Sequence, residues 1–64
     1  MNIQFVIDVA FRVSFDFRVE QRENNVILVR FKKEEDSVRF VEEISVYEEF
    51  NVVRNENEVL VSIL

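Results

Sequence analysis

The chain has sixty-four residues, thirteen acidic and eight basic, a net charge of −5, and no Cys, His, Gly or Pro. Disulfides and ordinary zinc sites are excluded, as are phosphate loops built on Gly, and the acidic balance repels nucleic-acid phosphates and anionic membranes. The longest unbroken apolar run is Val26 to Val29, so neither a membrane-spanning helix nor a signal-peptide core is expected.

One small α+β domain is expected over residues 1–64. Ordering such a chain costs about 1.5 kcal/mol per residue, roughly 100 kcal/mol altogether, and a core of this size offsets that narrowly. With disulfides and metals excluded, oligomerisation is the remaining staple. The lack of Cys fits a reducing compartment, and a cytoplasmic location is expected. Thr and Trp are also absent, and Ala occurs once, at Ala10. So narrow an alphabet fits either a compositionally biased gene, such as a viral one, or an artificial sequence. The chain ignores the design habits of Gly in turns and Thr on strands, which favours a natural origin.

Every odd-numbered residue from Ile3 to Val19 is apolar, and most of the even ones are polar. That alternation predicts one long β-strand with a dry and a wet face. Seventeen extended residues would span roughly 55 Å, against a radius of gyration near ~11 Å for a compact chain of this length. The strand must therefore bend, with Ala10 as the expected place, or pair in part with another molecule. After the polar cluster Gln21–Asn25, Val26–Phe31 reads as a second strand. Pairing Phe15, Phe17 and Val19 with Phe31, Val29 and Ile27 leaves the loop Arg22-Glu23-Asn24, puts Asp16 opposite Arg30, and gives Asn24 the left-handed position.

From Lys33 the period changes. Phe40, Val41, Ile44 and Tyr47 form a helical stripe with Ser37 and Glu48 at its margins. Glu34, Glu35 and Asp36 favour the helix dipole in the first turn, while Glu48 and Glu49 oppose it at the other end. Asn51 is the expected terminator. Residues 51–63 read as a second hairpin, with Val53 opposite Val59, the loop Asn55-Glu56-Asn57, Arg54 opposite Glu58, and Asn57 left-handed. The expected fold is ββαββ, a four-stranded, mainly antiparallel sheet with one helix packed on one face and a long bent first strand. The expected strand order is 2-1-3-4, with 2-1-4-3 as the alternative.

Catalytic chemistry finds little support. The Ser residues have no evident base, and the paired carboxylates lack calcium-loop spacing. Tyr47 and the Phe series read as core. No enzyme activity, no cofactor and no metal are expected. The segments Val26–Phe31, Glu34–Val41 and Val59–Ser62 resemble the third strand, second helix and last strand of an RNA-recognition domain of ferredoxin-like fold. The strand lacks that family's Gly and its exposed stacking aromatics, and the charge opposes RNA.

Two surfaces stand out. Val6, Val26, Leu28, Val52, Leu60 and Leu64 have the opposite parity to the core residues and form a candidate self-association surface. Glu35, Glu42, Glu43 and Glu49 form a candidate acidic face for a basic protein partner. The first functional reading is a non-enzymatic protein that self-associates as a homodimer through a sheet edge or the second sheet face. The alternatives are an acidic, possibly viral inhibitor that mimics nucleic-acid charge, and an artificial protein with no natural function. Direct nucleic-acid or membrane binding is not expected.

Overall fold

A computed structural model describes residues 3–63. The elements run α1 (Ile3–Phe11), β1 (Phe17–Glu23), β2 (Val26–Phe31), α2 (Glu34–Ile44), β3 (Phe50–Asn55) and β4 (Glu58–Ile63). The four strands form one antiparallel sheet in the order β1-β2-β4-β3. The fold is α+β, with two helices instead of one.

The long first strand is the main correction. Its N-terminal half is α1. Val6 and Ala10, which interrupt the polar even positions, complete a stripe of Ile3, Val6, Val9, Ala10 and Val13 at helical spacing. Val6, Val9 and Ala10 are fully buried, and Ile3 and Val13 pack against the same core. Phe11, on the dry side of the alternation, is exposed. Geometry forces the choice, since the molecule measures 26 × 22 × 20 Å with a radius of gyration of 10.2 Å. A straight strand of roughly 55 Å has no place in it.

Strand order is the second correction. With its first half helical, the first strand is short and lies at an edge, so neither 2-1-3-4 nor 2-1-4-3 forms. The centre is shared by β2 and β4. Ile27, Leu28 and Val29 are all buried, so β2 is apolar on both faces, as a central strand requires.

Both hairpins are tighter than expected. The first pairs Phe17 with Phe31 and Val19 with Val29, and an irregularity lies between Gln21 and Glu23. Its turn is Asn24-Asn25. This is a two-residue shift, so the dry face keeps its members. Asp16 meets Lys32 at 3.7 Å, and Arg30 takes Glu58 at 2.6 Å in place of Asp16. The second hairpin pairs Val53 with Leu60 and Asn55 with Glu58 around the turn Glu56-Asn57. That shift is one residue, and a one-residue shift moves every side chain of a strand to the other face.

Among the described residues only Glu56, at φ 56°, has positive φ, so neither Asn24 nor Asn57 is left-handed. Asn57 is held elsewhere. Its Nδ2 donates to the Phe31 carbonyl at 2.6 Å, and its own carbonyl accepts from the Phe31 N–H at 2.8 Å.

Both helices cover the same sheet face, where Phe31, Phe40, Ile44, Val59 and Val61 join Val6, Val9 and Ala10 in one core. Helix α1 runs diagonally. Phe5 stacks on Phe50 of β3 at 5.9 Å, while Phe11 meets Phe17 of β1 edge-on at 4.9 Å. Helix α2 begins after Lys33, which makes no side-chain cap, with Glu34, Glu35 and Asp36 in its first turn. It stops at Ile44, well before Asn51. No cation occupies its last turn, and Glu48 and Glu49 beyond it oppose the dipole. Tyr47 instead folds inward against Phe5 at 4.8 Å.

Candidate functional site: the uncovered sheet face

With both helices on one side, no layer of the described residues lies over the other side of the sheet. Three cross-strand rows of side chains lie there. The central row is Glu20, Leu28, Leu60 and Val53, one residue from each strand. Towards the Glu56 turn, the next row is Arg18, Arg30, Glu58 and Asn55. On the other side lie Val26, Ser62 and Asn51. The middle of the face is thus an apolar row bordered by charge and amide.

Its residues differ in exposure. Leu28 is 5% exposed, because its neighbours on β1 and β4 crowd it. Leu60 is 37% exposed and Val53 56%. Arg22, Leu28, Val53, Asn55, Glu58 and Leu60 line one shallow groove. Arg22 reaches Glu20 at 3.0 Å, and Arg30 holds Glu58. Arg18 lies directly opposite Arg30, a like-charge pair that cross-strand packing disfavours. It has no ion pair among the described residues.

The sequence-derived surface is only partly assembled. Val26, Leu28 and Leu60 come together on this face. Val6 lies in the core beneath α1, and Val52 sits half-buried on the helix-covered face. Leu64 lies outside the described residues. Val53, whose parity in the sequence assigns it to the dry face, takes the place of Val52. The missing signal was the length of the second turn, which decides the face of every β3 residue.

The acidic residues are all exposed but do not form a uniform surface. Glu35, Glu42 and Glu43 lie on α2, while Glu49 lies in the turn before β3. Glu43 meets Arg12 at 3.8 Å, and Arg12 and Arg39 share a groove with Glu42 and Glu43. Arg12 also donates to the Tyr47 hydroxyl at 3.4 Å. That hydrogen bond, with the further pull of Glu43 and Asp8, raises the guanidinium pKa above its ordinary value. Among the described residues no group of His, Cys, Asp and Glu is arranged to hold a metal ion, and no helix is long and apolar enough to cross a membrane. No protein-family model, curated protein or solved structure matches the chain.

Proposed function

We propose that this is a non-enzymatic interaction module that self-associates through the uncovered face of its sheet. The observation that carries the reading is the apolar row Leu28–Leu60–Val53, lying across the face that neither helix covers. A second copy suits this face because both charge signs are present on it. Arg18, Arg22 and Arg30 stand against Glu20 and Glu58, so the face is nearly balanced although the chain as a whole carries −5. A like-charged repulsion therefore does not oppose two copies meeting here.

Size sets the strength. Four strands about 4.8 Å apart and six residues of about 3.4 Å each give a footprint of roughly 400 Å² per copy. The pair would bury about 800 Å² in total, below the size of a stable interface, so the association is weak and transient, micromolar at its tightest. The phosphate-mimic reading has less support, because Arg12 and Arg39 interrupt the acids of the helical side.

Light scattering on the full chain tests the reading. The mass should rise above that of the monomer across the micromolar range, and Leu60→Lys should weaken that rise with an unchanged circular dichroism spectrum. A wild-type chain that stays monomeric at high micromolar concentration would overturn it.

A further inference from the structure

We infer that the free edge of β1 is a second self-association surface, on which two copies pair antiparallel about a twofold axis through Val19. This surface is distinct from the apolar row and does not depend on it.

Strand β1 lies at one end of the sheet and, among the described residues, pairs only with β2. Phe31 turns its N–H towards β4, to the carbonyl of Asn57. By strand alternation, Arg30 and Leu28 turn theirs towards β1. Arg18 and Glu20, opposite those two, therefore spend their main-chain groups on β2. Phe17, Val19 and Gln21 direct N–H and C=O to the open edge.

An antiparallel partner on this edge must match these outward residues with its own. Three registers do so, centred on Arg18, Val19 or Glu20. Centring on Arg18 sets Arg18 against its own copy and Asp16 against Glu20. Centring on Glu20 sets Glu20 against its own copy and Arg18 against Arg22. Centring on Val19 sets Arg18 against Glu20, a pair that occurs twice, and brings Asp16 towards Arg22, which lies at the irregularity of β1. The series Asp16, Arg18, Glu20, Arg22 is thus self-complementary in one register and self-repelling in its two neighbours.

Two further observations agree. Arg18, unpaired and facing Arg30 in the single copy, gains Glu20 of the second copy. Phe15 is 88% exposed beside Phe11 at the start of this edge, and the same register brings the second copy's strand alongside it at Glu23. Charges on an edge strand ordinarily block pairing. Here their order makes the edge selective for a second copy of itself.

Charge exchange is the test, read by sedimentation of the full chain. Arg18→Glu and Glu20→Arg should each weaken association about tenfold, since each sets like charges together twice across the axis. The double variant R18E/E20R should restore it. Arg18→Glu faces Arg30 within its own copy, so its loss of association does not arise from unfolding. The amides of Phe17, Val19 and Gln21 should exchange more slowly as protein concentration rises. Unchanged affinity in both single variants, or failure of the folded double variant to recover, overturns the edge pairing. If Leu60→Lys abolishes association while the charge variants do not, the edge fails and the face stands. If the charge variants weaken association and Leu60→Lys does not, the face fails and the edge stands.

Discussion

Ser37 is the one polar residue fully buried among the described residues. Its Oγ lies 2.5 Å from the Glu34 carbonyl oxygen and 2.7 Å from that of Glu56. One hydroxyl proton serves both acceptors and ties the first turn of α2 to the turn between β3 and β4. Ser37→Ala removes that tie in a dry environment and should cost about 1–2 kcal/mol in urea unfolding. The loss stays at that level because Arg54 Nη1 also donates to the Glu56 carbonyl, at 2.7 Å. Glu56 itself pays a steric penalty of about 1–2 kcal/mol for its left-handed backbone. Glu56→Gly relieves it, offset by about 0.5–1 kcal/mol of added freedom in the unfolded chain. The net expectation is a gain of up to about 1.5 kcal/mol, read in the same titration. Because both residues share one hydrogen bond, the two effects should not add in the double variant.

At the scale of elements, α1 shows how two periods can coexist in one stretch. Apolar residues at every odd position satisfy a strand, and adding Val6 and Ala10 also satisfies a helix. Local pattern cannot separate them. The length of the molecule can, because a helix shortens nine residues to about 14 Å at 1.5 Å each. The two structures bury different residues, so mutation discriminates between them. Val6→Ser should cost about 3 kcal/mol, since it empties a fully buried core site. Phe11→Ser, on the favoured side of the alternation but 47% exposed, should cost clearly less. Equal costs in urea unfolding would contradict the helix.

The remaining elements were legible because their signals do not compete. Val26–Phe31 reads as a strand, although its two apolar faces, the mark of a central one, went against the edge position the expected order assigned to it, and Phe40, Val41 and Ile44 follow helical spacing. Turn length was not legible. Without Gly, the series Arg54-Asn55-Glu56-Asn57-Glu58 marks neither a two- nor a three-residue loop, and that single residue decided whether Val52 or Val53 faced solvent. The candidate surface was readable on β2 and β4, whose apolar runs anchor their parity. It was lost wherever parity depended on a turn or on the period of α1.

For the whole molecule, the deciding quantity is how little core sixty-four residues can assemble. A layer of two helices covers one sheet face only, and the other retains Leu60 and Val53 in water. If a second copy covers them, folding and association are linked, and stability must depend on protein concentration. The urea midpoint of the wild-type chain should therefore rise measurably over about a hundredfold increase in concentration spanning the dissociation constant. Leu60→Lys should reduce that dependence to the part the β1 edge contributes, with a smaller effect on the midpoint at low concentration, where Leu60 loses only its contact with Leu28. Leu60 contributes to the helix-covered core of a single copy not at all, so the variant separates association from folding. A wild-type midpoint independent of concentration across that range would show a chain that folds alone with its apolar row exposed.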